Sequence, residues 1–70
     1  MNRDTAEYIN AMMLDFSHQI SDSVGVLKAK CEEDEVKAYV KPVSQISALI
    51  FDILDMIHEQ YPDLKPEDLD

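Results

Sequence analysis

The chain has 70 residues, a formal charge of −9 and one cysteine, which excludes several domains, an intrachain disulfide and a large core. A strongly negative chain repels phosphate, so we expect no nucleic-acid binding. The N-terminus lacks a basic and apolar signal segment, and the apolar window 46–57 is interrupted by Asp52 and Asp55 and too short to span a bilayer. We therefore expect a small cytoplasmic domain without membrane contact, with Cys31 a reduced thiol.

The first predicted element is a helix over about residues 4–31. Its apolar residues recur at intervals of three and four, as they do on one face of an α-helix, and the phase continues through Gly25. Asp4 and Glu7 have the spacing of a capping box, so we expect Asp4 to be the N-cap. The stripe consists of Ile9, Met13, Phe16, Ile20, Val24, Leu27 and Cys31.

Four consecutive acidic residues, 32–35, interrupt this pattern and predict the turn, although they include neither glycine nor proline. A second helix is predicted over about residues 34–61, capped by Asp34 and ended by Pro62. Its two core positions each repeat every seven residues. These core residues are Val36, Tyr39, Val43, Ile46, Ile50, Ile53 and Ile57.

The two stripes predict an antiparallel two-helix hairpin, because pairing them about the turn places Ile20 opposite Ile46 and keeps the remaining apolar residues in register. Pro42 should kink the second helix, since a proline inside a helix removes one backbone hydrogen bond and clashes with the preceding turn. Residues 62–70 form an acidic tail, with one turn expected to begin at Pro66.

An alternative breaks the chain near Gly25 and Pro42 and gives a three-helix domain. Its helices would cover about residues 4–23, 26–40 and 43–61. This alternative would admit a DNA-binding helix-turn-helix. The lysines of its middle segment are matched by acidic residues, which does not favour that function.

The second helix is apolar over more than half of its circumference, whereas a helix packed on one neighbour needs a stripe of only about 100°. We therefore expect two hairpins to dimerise into a four-helix bundle. The second helix should contribute most of the homodimer interface. The predicted interface residues are Val40, Val43, Ile46, Leu49, Ile50, Phe51, Ile53, Leu54, Met56 and Ile57.

Charge is distributed unevenly along the chain. Between Leu27 and Lys41 four lysines cancel four acidic residues, so the net charge lies toward the end of the hairpin that holds both termini. Acidic residues elsewhere on the two helices form a candidate surface for a basic protein. They are Asp15, Asp22, Asp52, Asp55 and Glu59.

Asp15 and His18, and likewise Asp55 and His58, have the acid-x-x-His spacing that ligates iron or manganese in some bundles. The helical phase argues against a metal site, because Asp15, His18 and Asp55 point away from the apolar stripes. Cys31 is followed by two glutamates, whose charge disfavours the thiolate. A single glycine excludes a glycine-rich phosphate loop. We expect no metal, no cofactor and no catalytic residue.

Two functions remain as hypotheses. The first is protein association without catalysis, as a homodimer, a subunit or an adaptor. The alternative is an inhibitor, antitoxin or immunity-type protein whose acidic surface covers a basic site on its partner.

Overall fold

The structure is a computed structural model that describes residues 1–66. These residues form two α-helices, α1 (Arg3–Lys30) and α2 (Glu33–Gln60), followed by a 3₁₀ helix, η1 (Pro62–Leu64). α1 and α2 pack against each other, and η1 packs against α2. The predicted all-α helical hairpin is confirmed. Of the predicted acidic tail, all but the last four residues are described, and the turn expected from Pro66 lies largely outside the described residues.

The helices run antiparallel, with their ends joined by side-chain contacts between residues far apart in the chain. The hairpin is 44 Å long and 20 by 17 Å across. We call the end of the hairpin that holds the N-terminus the open end. Three side-chain contacts join distant parts of the chain at successive positions from the open end toward the turn. They join Arg3 to Asp63, Asn10 to His58 and Ser23 to Tyr39.

α1 begins one residue earlier than predicted, because Asn2 caps it. The Asn2 side-chain oxygen accepts a hydrogen bond from the Thr5 backbone N–H at 2.8 Å, which satisfies one of the free N–H groups of the first turn. The prediction that Asp4 is the N-cap is therefore wrong. Asp4 lies in the first turn, where its negative charge interacts favourably with the helix dipole.

α1 continues through Gly25 and α2 through Pro42, so the three-helix alternative is wrong. Pro42 cannot donate a hydrogen bond to the carbonyl of Ala38, four residues earlier. Both residues are exposed, so water can hydrate that carbonyl and limit the cost of the missing bond. The helix-turn-helix hypothesis depends on the three-helix arrangement and loses its structural basis.

The turn between the helices consists of Cys31 and Glu32. Both have extended backbone with negative φ, so the turn needs neither glycine nor proline. The N-cap of α2 is Glu32, without a side-chain capping bond, and the prediction of Asp34 is wrong. Asp34 belongs to the acidic first turn together with Glu33 and Glu35, where the helix dipole stabilises all three charges.

The core between the helices is smaller than predicted, and α2 is rotated about its axis relative to the expected pairing. Leu54, placed beside the stripe by the sequence pattern, is completely buried, whereas Ile46 and Ile53 are 47% and 38% exposed. On α1, Phe16 is 44% exposed. The buried apolar residues are Ala6, Ile50, Leu54 and Ile57. Because α2 is apolar on both sides of its stripe, periodicity alone could not decide which side faces α1.

Gly25 lies inside α1, and apart from its chain neighbours and the adjacent helix backbone no atom lies within 4 Å of the position that a Cβ would occupy. We expect Gly25→Ala to raise the free energy of unfolding by about 0.5–1 kcal/mol, because alanine loses less backbone entropy in a helix. Urea denaturation followed by circular dichroism measures the change. Ala29→Gly, at an exposed position in the same helix, is the matched control and should lower stability by a similar amount. A destabilising Gly25→Ala would contradict the helical assignment at this position.

Candidate functional site

Asn10 is the only buried polar residue of the described chain, 7% exposed, and both ends of its side-chain amide are bonded. Its Nδ2 donates to the backbone carbonyl of Leu64 at 3.3 Å, and its Oδ1 lies 2.8 Å from Nε2 of His58. Because the amide donates through nitrogen to that carbonyl, its oxygen must accept, and His58 carries the proton on Nε2. The pair joins α1 to α2, and the bond from Asn10 to Leu64 joins α1 to η1.

Arg3 attaches the segment beyond α2 to the start of α1. Its guanidinium pairs with both carboxylate oxygens of Asp63 and lies 5.6 Å from the centre of the Tyr61 ring. The Tyr61 hydroxyl donates to the Met1 carbonyl at 2.8 Å. The hydrogen bond from Arg3 lowers the pKa of Asp63, and the same bond raises the pKa of Arg3. These contacts hold the two ends of the chain together at the open end, so their role is structural.

We expect His58→Ala to lower the free energy of unfolding by about 1–3 kcal/mol, because it leaves the buried Asn10 Oδ1 without its partner. His18→Ala is the matched control, since His18 is exposed on α1 and should change stability by no more than about 0.5 kcal/mol. Urea denaturation measures both values. Equal losses in the two variants would show that the Asn10–His58 bond does not stabilise the hairpin.

The Arg3–Asp63 pair predicts a specific pH dependence. A carboxyl group whose pKa is lowered by folding stabilises the native state above its unfolded pKa, about 3.9, and this stabilisation is lost as the pH falls through the lower folded value. We expect Asp63→Asn to be less stable than wild type at about pH 6 and this difference to be smaller at about pH 3, where the unfolded carboxyl is already largely protonated. Asp15→Asn removes the same charge without removing an ion pair, so denaturation curves at both pH values should show no comparable loss.

One side of the hairpin exposes large apolar side chains from both helices. On α2, at roughly 100° per residue, Ile46 and Ile53 lie to one side of Leu54, and Leu49 and Met56 lie further round the same side. Leu49 is the most exposed of these four, at 64%. We call this surface the apolar face; it consists of Met12, Phe16, Ile46, Leu49, Ile53 and Met56.

The bond between the Ser23 and Tyr39 hydroxyls, 2.7 Å long, shows that the two helices contribute to the same face. Ser23 lies seven residues after Phe16 and therefore on the same side of α1. Tyr39 lies seven residues before Ile46 and so on the same side of α2. The sides that carry Phe16 and Ile46 thus meet along one edge of the seam between the helices.

The acidic residues are on the remaining surface of the hairpin. All five predicted partner-binding acids are exposed, and none makes an ion pair within residues 1–66. Asp52, Asp55 and Glu59 share the side of α2 away from Ile53, because intervals of three and four residues keep a helix face in phase. Asp15 and Asp22, seven residues apart, occupy the outer side of α1. We call the outer sides of α1 and α2 that carry Asp15, Asp22, Asp52, Asp55 and Glu59, taken together, the acidic face.

The ten predicted interface residues therefore fall on three surfaces. Ile50, Leu54 and Ile57 are buried against α1, and Val43 is half-buried beside them. Val40 and Phe51 line a groove between the helices, on the opposite side of the seam from the apolar face. The four on the apolar face, which stay available to a partner, are Ile46, Leu49, Ile53 and Met56. The sequence pattern missed the contribution of Phe16 to this surface.

No group of three or more potential metal ligands among His, Cys, Asp and Glu comes together within residues 1–66. Asp15, His18 and Asp55 are exposed, and Nε2 of His58 is bonded to Asn10. Cys31 is a free, partly exposed thiol at the turn. Neither α1 nor α2 is long and apolar enough to cross a membrane.

No family model matches the chain, and comparison with curated proteins and with solved structures gave no match either. A helical hairpin by itself indicates no function, since one fold serves many roles. The chemistry of the apolar and acidic faces is therefore what bears on function.

Proposed function

We propose that the protein acts through protein association, without catalysis, and that its apolar face binds a second copy to form a four-helix bundle. The observation that carries this proposal is the exposure of Phe16, Ile46, Leu49 and Ile53 on one side of the hairpin. Monomeric soluble proteins rarely expose a contiguous apolar patch larger than a few hundred Å². We place this activity in the cytoplasm.

The dimensions of the hairpin suit a stable dimer. A standard interface buries roughly 800 Å² on each partner, and a hairpin 44 Å long and 17–20 Å wide offers a side of that size. Ridges of Ile and Leu side chains from α2 can fit between those of the second copy, as in other four-helix bundles.

The charge distribution favours a second copy over a charged partner at this face. Along the apolar face, charged side chains occur only near the turn, at Lys30 and Glu35, so almost no charge has to be desolvated. The acidic faces of the two copies point outward, away from each other, and water screens them. Association of two chains of charge −9 is therefore compatible with their mutual repulsion.

The small core gives a further reason for association. Only four apolar residues of the described chain are buried, and chains of this size without a disulfide or metal rarely gain enough stability from one core. A second copy binds the folded hairpin and not the unfolded chain, so dimerisation would stabilise the fold by mass action.

We expect wild type to sediment with the mass of two chains, each of 8.0 kDa. Ile53→Asp or Leu49→Asp should lower the sedimenting mass to that of one chain, with loss of helix where folding depends on the dimer. Both residues are exposed in the hairpin, so the substitutions place a charge only on the apolar face. Ala48→Asp adds the same charge on the other side of α2 and should leave the dimer intact. A folded wild-type monomer at micromolar concentration would contradict the proposal.

A second function is supported by the acidic face. Asp15, Asp22, Asp52, Asp55 and Glu59 lie outside the apolar face and would remain free in the dimer. We propose as the alternative that this face covers a basic site on another protein, as an inhibitor, antitoxin or immunity-type protein does. Such a complex should dissociate as salt is raised, because exposed charges are screened. A partner whose binding is unchanged at about 1 M salt would contradict this alternative.

A further inference from the structure

Net charge differs between the two halves of the hairpin. Residues 1–16 and 47–66 make up the half nearer the open end, here called the open half, and residues 17–46 make up the turn half. The open half contains seven acidic and two basic residues, whereas the turn half contains five acidic and four basic residues. Within residues 1–66 the open half therefore has a net charge of −5 and the turn half a net charge of −1.

Two copies that meet through the apolar face with two-fold symmetry can take one of two orientations. If the symmetry axis runs along the hairpin, both turns lie at the same end of the bundle and the two open halves face each other. If the axis runs across the hairpin, the two copies are antiparallel and the turn half of each copy lies beside the open half of the other.

The charge of the two halves favours the antiparallel orientation. At equal distance, two halves of charge −5 repel each other about five times as strongly as one half of charge −5 and one of charge −1. Salt screens these exposed charges over a Debye length of about 8 Å at physiological ionic strength, which weakens the difference between the orientations but does not change its sign.

The spacing of the apolar face on α2 fits an axis across the hairpin. Ile46, Leu49, Ile53 and Met56 follow one another at intervals of three, four and three residues, an order that is the same in both directions. A two-fold axis midway between Leu49 and Ile53 therefore places Leu49 of one copy opposite Ile53 of the other. The same axis places Ile46 opposite Met56, so all four side chains find an apolar neighbour.

The residues of α1 on the apolar face lie at the same level of the hairpin. Met12 and Phe16 are centred on residue 14 of the chain. The side-chain hydrogen bonds that join the two helices on either side of this level place residue 14 beside Phe51 and Asp52 of α2. The row on α2 is centred at Phe51, so one axis across the hairpin passes through the middle of both rows.

We propose that the two copies pack antiparallel, with the turn of each copy beside the acidic open half of the other. In this arrangement α2 packs on α2 of the second copy and α1 packs on its α1, because rotation about an axis across the hairpin keeps each helix on its own side of the bundle. The proposal rests on the homodimer proposed above and specifies how the second copy is oriented.

The native cysteine allows a direct measurement of the orientation. Cys31 is the only cysteine and is partly exposed at the turn, so a nitroxide label attached to it reports the distance between the two turns by double electron–electron resonance. The turn lies about 18 residues, or about 27 Å of helix, from the middle of the apolar face. We therefore expect the labels to be about 40–60 Å apart. A separation below about 25 Å, as expected when both turns lie at one end of a bundle, would overturn the proposal.

Disulfide trapping tests which helices meet across the interface. Chains with Leu49→Cys are mixed with chains that carry Ile53→Cys, with Cys31→Ser in both, under a mild oxidant. We expect a disulfide between the two kinds of chain. Ala48→Cys in place of Leu49→Cys is the matched control, since Ala48 is exposed on the other side of α2, and it should give no such product. Efficient trapping of Leu49→Cys chains with Phe16→Cys chains instead would place α2 against α1 of the second copy and overturn the proposal.

Sedimentation of the labelled chain separates failure of the orientation from failure of the homodimer. A dimer with a short distance between the turns would leave the homodimer in place and overturn only its antiparallel packing. A labelled and an unlabelled chain that both sediment at 8.0 kDa, with no coupling between labels, would contradict the homodimer and the orientation together.

Discussion

Two helices share a single line of contact, and this constraint determines most of what the hairpin exposes. Each helix can bury only about 100° of its circumference against the other, whereas α2 is apolar over more than half of its own. Once Leu54 and Ile57 occupy the contact, the remaining apolar residues of α2 must face outward. The rotation of α2 about its axis therefore decides which residues form the core and which form a surface for a partner.

The polar contacts at the open end are consistent with the observed rotation. His58 meets Asn10 beside the buried residues Leu54 and Ile57, and a buried amide without this partner would be costly. Turning α2 to bring Ile53 into the seam would move His58 away from Asn10. A polar pair thus opposes the alternative packing and leaves Ile46 and Ile53 on the surface.

The helical periodicity was sufficient to predict both helices and the position of the turn, because each stripe has one dominant phase. It could not predict the rotation of α2, since residues on both sides of the stripe are equally apolar. The caps were predicted wrongly at Asp4 and Asp34, where several acidic or polar residues compete within one turn. The acidic residues of the candidate site were identified correctly as exposed, whereas the groove depends on how the two helices meet and has no signal in either helix alone.

The central claim is that the apolar face is the surface through which two copies meet. The most direct measurement is isotope-filtered NMR on a mixed sample of labelled and unlabelled chains, which detects only contacts between copies. The account predicts intermolecular contacts among the methyl groups of Ile46, Leu49 and Ile53 and the ring of Phe16, and none from Val40 or Phe51. Intermolecular contacts confined to Val40 and Phe51, or none at all at millimolar concentration, would contradict it.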